Sequence, residues 1–231
     1  MKSKSLVISA HQPNFMPYLG FFDKMQKSDA FVLITNLQFE RHEGWQQRNK
    51  IPGPNKDIWL TIPVFGSQNQ NLKDVKIDNH NNWCKKQKRT FQLNYSKCKE
   101  VDLLPRIEEI YNSKPERLVD INIQFIKLIK EALDIPTKLI VDEDVSGNKH
   151  ELLVNICKKY NATTYLSGNG AKNYMTSNYF SELEKNSISH YFIENELAAK
   201  HPYSTLHYIL TEGRNAVIQK INGNGDYKKP I

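Results

Sequence analysis

Cysteine is scarce in this chain, and its three residues, Cys84, Cys98 and Cys157, are scattered and odd in number. With no Cys-x-x-Cys pair and no histidines clustered at metal-ligand spacing, the sequence excludes a disulfide framework and gives no metal site. The thiols read as those of a reduced, cytoplasmic protein. Long apolar runs are missing too. Residues 6–8 (LVI), behind Lys2 and Lys4, are far fewer than a signal-peptide core needs, and no stretch approaches the roughly 18 apolar residues of a membrane span. A Gly-x-Ser-x-Gly elbow is absent and no cysteine accompanies a histidine-rich motif, so covalent nucleophilic catalysis has no support. Acidic residues are outnumbered, 25 against 32 basic, for a net charge of +7. Such a surface attracts anions: nucleotide sugars, nucleic acids or acidic carrier proteins.

What is present suffices for a folded domain. A chain of 231 residues buries a substantial core without metal or disulfide. Residues 6–9 read as a strand, 18–26 as a helix and 30–34 (AFVLI) as a second strand. Continuous apolarity in the latter suits a parallel strand covered on both faces. Residues 35–57 form a long polar stretch, expected as a loop, ended by IWLTIPV. The middle reads as helical, with Lys85, Lys88 and Arg89 on one face of residues 83–94 and an apolar stripe from Leu118 to Ala132. Alternation then resumes, with strands at 138–141, 163–166 and 189–192 and helices at 148–160 and 203–210. Asn148 and Glu151 make a candidate capping box.

The pattern predicts an α/β fold: a mainly parallel, Rossmann-like sheet with helices on both faces and a helical insertion or crossover over residues 82–135. No linker of flexible composition divides the chain. Residues 1–221 are expected as a single domain and 222–231 as a frayed tail.

Three segments carry polar groups where ligands bind. Directly after the first strand, AHQPNFMPYLGFFDKM sets His11, Gln12, Asn14 and Tyr18 in a strand-to-helix turn, the usual ligand position in open α/β sheets. The alternative is that His11 and Asn14 only cap the helix while Pro13 and Pro17 shape the turn. A second turn, SGNGAK, offers the Ser167 hydroxyl, Gly168 and Gly170 for close backbone approach, and Lys172 for a phosphate. It lacks the full P-loop or dinucleotide spacing, so a plain glycine turn fits as well. Both turns are expected at one sheet edge, building one pocket.

Third, QFERHEGWQQRNKI brings together Gln38, Arg41, His42, Trp45, Arg48, Asn49 and Lys50. Arginine forks suit phosphate or carboxylate and tryptophan offers a ring face for a base or sugar, whereas one such segment is too little to bind nucleic acid. Farther on, His201 precedes Pro202 and Tyr203 and is a second candidate general base beside His11.

These segments together, with WLTIPV, DVKID, LVDINIQFIK, TTYLSG, AKNY and HPY, resemble the WbqC-like protein family from about Val7 to Gly213. The resemblance implies a cytoplasmic role in bacterial O-antigen or other surface-glycan synthesis, with transfer of glycine or another aminoacyl group to an amino sugar. Family motif positions fall on His11, Gln12, Asn14, Gly20, Gln38, Arg48, Asn49, Ser167, Gly168, Lys172 and His201. Past Tyr203 the match weakens. The first strand and turn also resemble the nucleotidylyltransferase and pantothenate synthetase superfamily, whose first turn binds ATP phosphates. Its second motif histidine is absent here, since Phe21 follows Gly20, which argues against adenylation within this chain.

The expected function is thus N-acyl or aminoacyl transfer to a nucleotide-linked amino sugar. His11, Gln12, Asn14 and His201 are expected to serve catalysis. Tyr18, Gln38, Arg41, Trp45, Arg48, Asn49, Lys50, Ser167, Gly168 and Lys172 are expected to bind substrate. No metal and no fixed cofactor is expected. The donor is expected to be a thioester, on an acidic acyl-carrier protein facing the basic helix or on coenzyme A, with ATP as the alternative. An ATP-dependent ligase or nucleotidyltransferase, and a non-catalytic nucleotide-sugar-binding subunit, are the alternatives.

Overall fold

The computed structural model describes residues 5–41, 44–66, 69–168, 171, 177–193, 197–225 and 227–228. Six strands form the main sheet: β1 (Val7–His11), β2 (Ala30–Ile34), β5 (Lys138–Asp142), β6 (Thr164–Gly168), β7 (Ser189–Ile193) and β8 (Tyr227–Lys228). Their spatial order is β5-β2-β1-β6-β7-β8, all pairs parallel except β7 with β8. The other two strands, β3 (Arg48–Ile51) and β4 (Ile58–Thr61), make a separate antiparallel hairpin.

Between strands lie α1 (Leu19–Gln26), α2 (Trp83–Tyr95), α3 (Leu103–Asn112), α4 (Leu118–Ala132), α5 (His150–Lys159) and α6 (Ser177–Lys185), followed by α7 (Leu197–Lys200), α8 (Thr205–Glu212) and α9 (Arg214–Asn222). The fold is the α/β, Rossmann-like sheet that the alternation predicts. Both faces are covered because β2 is apolar at every position. Its Phe31 and Leu33 join the core with α1, α4 and α8, while Ala30, Val32 and Ile34 join a second core with Val154 and Cys157 of α5 and Leu183 of α6. The helical middle is the crossover from β2 to its parallel neighbour β5.

Several expectations change. Residues 48–51 pair as a strand inside the stretch expected as loop, since their burial alternates and Asn49 takes a core-facing position that an apolar residue usually fills. In α5 only half of a capping box forms: the Asn148 backbone N–H donates to Glu151 Oε2 at 3.2 Å, but the helix begins after Lys149, at φ 52°. The tail expected to fray from Asn222 is tied down over its described residues. Asn224 Nδ2 donates to Asp23 at 2.8 Å, Lys27 Nζ to Asn224 O at 2.9 Å, and β8 pairs with β7.

Strand order reverses between β1 and β6, since the connections from β1 run to β2 on one side and the later strands add on the other. Ligands in such sheets bind outside the carboxyl ends of strands at this reversal. Pairing of β1 with β2 runs through His11, whereas pairing with β6 ends at Ile8 with Tyr165.

Candidate active site

The turn after β1 is held by side chains distant in sequence. Pro13 and Pro17 lack backbone donors, and amides from elsewhere take up the turn's carbonyls. Asn122, fully buried on α4, donates from Nδ2 to Pro13 O at 2.8 Å and to Gln46 O at 2.7 Å. Asn49 of β3 donates to Phe15 O at 3.2 Å and Met16 O at 2.7 Å, while its Oδ1 accepts from the Lys50 backbone at 2.7 Å. Phe15 N–H donates to Trp45 O at 2.9 Å, and Gln46 Nε2 donates to Gln12 Oε1. Met16 is thereby held at φ 45°, a left-handed conformation that costs a non-glycine residue about 1 kcal/mol. Residues 12–16 and 45–49 thus behave as one stitched unit.

Helix α1 begins after Tyr18, whose backbone is extended, and no side chain caps it. Capping therefore does not account for His11 or Asn14. Both line a cleft of about 460 Å³, together with Pro17, Tyr18, Trp45, Asn49, Lys50, His201 and Pro202. Asn14 is only 6% exposed, yet its amide has no hydrogen-bond partner among the described residues. Its atoms are not among the fully buried polar atoms that lack a partner, so the amide keeps access to the cleft, where water or a ligand completes its hydrogen bonds.

His11 Nδ1 lies 2.9 Å from the Gln12 carbonyl oxygen. A carbonyl only accepts, so Nδ1 carries the proton and Nε2 is left as the acceptor. Burial, and secondarily the charge of Lys24, push the His11 pKa down to about 3. Its imidazole is neutral at physiological pH, and a weak base. His201 packs edge-on against Tyr208 at 5.1 Å, and its pKa is lowered by burial first and by Lys220 second. Tyr18 keeps its hydroxyl proton, since burial and then Asp23 raise its pKa. Lys50 is already paired, at 2.6 Å from Asp57 Oδ2, and Asp57 also accepts from Tyr203 at 2.9 Å.

Beneath the turn lies an unusual cation. Lys24 of α1 is 7% exposed, and its ammonium donates to Ala10 O of β1 at 2.9 Å, lying 5.5 Å from the centre of the Phe31 ring. Burial brings its pKa down to about 7. Lys24→Met is expected to stabilise the fold at pH 7 by about 2 kcal/mol, because the desolvation it relieves exceeds the one hydrogen bond lost. The same variant should raise the His11 pKa. Urea unfolding and histidine titration by NMR check the two effects; an unshifted His11 would count against the coupling.

The cleft thus gathers His11, Asn14, Tyr18, Trp45, Asn49, Lys50 and His201 of the expected residues. Gln12 stands behind it against Gln46, and Gln38 contributes a backbone carbonyl 3.5 Å from Gln12 Nε2. Arg48 does not line it but lies over Trp59, with its guanidinium carbon 5.0 Å from the ring centre. Arg41 is exposed on the same loop, where its carbonyl accepts from Gln47.

Of the second turn, expected to share one pocket with the first, only Ser167, Gly168 and Ala171 are described, and none of the three lines this cleft. Ser167 is buried and its hydroxyl shares a 2.8 Å hydrogen bond with His190 Nε2 on β7. Two-residue alternation along β6 sets Ser167 on the same sheet face as Tyr165, the face packed against α5 and α6. No described atom would crowd a Cβ at Gly168, so close approach does not demand glycine there. His42, Gly170 and Lys172 lie outside the described residues. Among the described residues no group of His, Cys, Asp and Glu converges to hold a metal ion, and no helix is long and apolar enough to cross a membrane.

Sequence reasoning missed Asn122, Lys24, Gln46 and Trp59. For Asn122 a signal exists: an amide flanked by Leu118, Phe125 and Ile126 at helical spacing occupies a core position.

The family model of the WbqC-like protein family matches residues 12–208. The chain belongs to the WbqC-like protein family. That match covers the stitched turn, the hairpin, the helical crossover, β6 and β7, and His201. This WbqC-like chain is also similar to the uncharacterized protein Rv1507c of Mycobacterium tuberculosis, at 29% identity over 178 residues, covering 74% of this chain and 76% of that one. No solved structure matches it.

Proposed function

We propose that this WbqC-like chain is an N-acyltransferase, glycyl or aminoacyl in donor, that modifies a nucleotide-linked amino sugar for a bacterial surface glycan. The carrying observation is the cleft that gathers the Asn14 amide with His11, Tyr18 and His201. In the reaction the sugar amine attacks the acyl carbonyl carbon. A C–N bond forms, the C–S bond of a thioester breaks and the thiolate leaves, while the nitrogen proton passes to a base.

His201 is the better base of the two cleft histidines, because a group with pKa near 3 takes a proton poorly at pH 7. His11 then orients the amine as a neutral acceptor through Nε2. Asn14 Nδ2 and the Tyr18 hydroxyl are the donors available to the oxyanion of the tetrahedral intermediate. An acidic acyl-carrier protein fits the exposed Lys85, Lys86 and Arg89 of α2. Lys88 is less available, because it is tied to Asn112 at 2.7 Å and Glu108 at 3.5 Å on α3.

The test is incubation with a nucleotide-linked amino sugar and an acyl or aminoacyl thioester, followed by mass spectrometry of the sugar product. Asn14→Ala is expected to lower kcat/KM about 100-fold, as loss of an oxyanion donor does. His201→Ala should lower it to a similar degree and remove the acidic limb of the pH–rate profile. Ligand binding without any turnover would leave a binding subunit instead.

A further inference from the structure

Trp45 and Trp59 are large aromatic side chains left 43% and 48% exposed, and they stack on each other with centroids 5.9 Å apart and planes 23° apart. Exposed tryptophan is costly to hydrate, and two stacked together form a patch that monomeric proteins rarely leave without use. The pair is also anchored through its backbone. Trp45 O is bonded to Phe15 N–H of the turn, and Trp59 sits in the hairpin opposite Lys50. Two-residue alternation along β3 and β4 then puts Arg48, Lys50 and Trp59 on the outer face while Asn49, Ile51 and Leu60 turn inward.

We infer that Trp45, backed by Trp59 and the Arg48 guanidinium, is a stacking platform for the nucleobase of the donor or acceptor nucleotide, and so orients the ligand with its base at the cleft mouth. This rests on the reading of the cleft as a nucleotide-sugar site and adds the direction in which the ligand lies. Trp45 lines the cleft that also holds His11 and Asn14. Exposure falls from Trp45 at 43% to Asn14 at 6%, so a planar ring fits the open end and the small amino-sugar end reaches the buried polar groups. A neutral sugar needs no cation beside its platform. A nucleotide does, and the hairpin face that carries Trp59 also carries Arg48, with Lys50 beside it in its pair with Asp57. Arg48, expected from sequence to grip phosphate, gains a second role as the clamp of Trp59.

Titration with UDP, followed by calorimetry and by quenching of tryptophan fluorescence, tests this on the whole chain. Trp45→Leu is expected to weaken UDP binding about tenfold, Trp59→Leu about threefold, and Trp59→Phe to restore binding. Both side chains are half exposed, so thermal unfolding of these variants should match the parent. No binding of UDP to the parent chain would overturn the nucleotide reading of the cleft. Binding of UDP with equal affinity by parent and Trp45→Leu would overturn the platform alone. Trp45-dependent binding of glucosamine 1-phosphate, with none of UDP, would assign the platform to the sugar and overturn the orientation proposed.

Discussion

Replacing Asn122 by leucine is expected to cost about 3 kcal/mol of stability, since two buried carbonyl oxygens, those of Pro13 and Gln46, lose their donor at once. Leucine has the same branching at Cγ but is larger, so overpacking adds to the loss of the two hydrogen bonds. The functional consequence is larger than the position suggests. Asn122 does not line the cleft, yet it joins the two backbone segments that carry Asn14 and Trp45. Ligand affinity should therefore fall about tenfold in a variant that still folds, because the loop must be ordered at the moment of binding. Urea unfolding and UDP titration measure the two effects. A variant within about 0.5 kcal/mol of the parent would show that the turn is held by other means.

Acidification from pH 8 to pH 5 is expected to cost about 5 kcal/mol, most of it from His11 and His190 and about 1 kcal/mol from Lys24, whose folded pKa of about 7 lies inside the window. In the unfolded chain both imidazoles titrate near 6.5, whereas in the fold burial holds His11 at about 3 and His190 at about 4. Both folded values are depressed, so the unfolded state binds more protons below pH 6.5 and stability rises with pH through that window. Each contributes about 2 kcal/mol at pH 5, where the folded rings are still neutral. Asp142, held at about 2 by Lys159, Tyr160 and two backbone N–H groups against the opposing effect of burial, loses its contribution only below the ordinary carboxylate range. Asp23 acts with opposite sign, because burial raises its pKa. Urea midpoints at pH 8 and pH 5 test the account, with His190→Gln expected to remove about 2 kcal/mol of the loss. If that variant lost as much as the parent, His190 would not be one of its sources.

Much of the architecture was legible because hydrophobic periodicity is local. In β2, five apolar residues in a row signal a strand covered on both faces, and the stripe from Leu118 to Ala132 signals a packed helix. The hairpin at Arg48–Ile51 was not legible, since four residues with an amide in a core-facing place carry too little pattern. Of the expected site residues, His11, Asn14 and Tyr18 of the turn after β1, with Trp45, Asn49, Lys50 and His201, do meet in the cleft. Ser167 does not, because face alternation along β6 turns its hydroxyl to His190 under α6.

By itself, then, the sequence determined the sheet, its covering helices and the polar turn at the end of β1, all of which follow from side-chain order over a few residues. Only the tertiary structure decided how that turn is held and what it faces. Asn122 reaches Pro13 across 109 positions and Asn49 reaches Phe15 across 34. Such hydrogen bonds have no periodic trace in the chain, because burial and the demand that each buried carbonyl find a donor arise only once distant segments are packed together. The same packing sets Asn14 and the exposed Trp45 along one cleft, and so turns a proline-shaped loop into a candidate binding site.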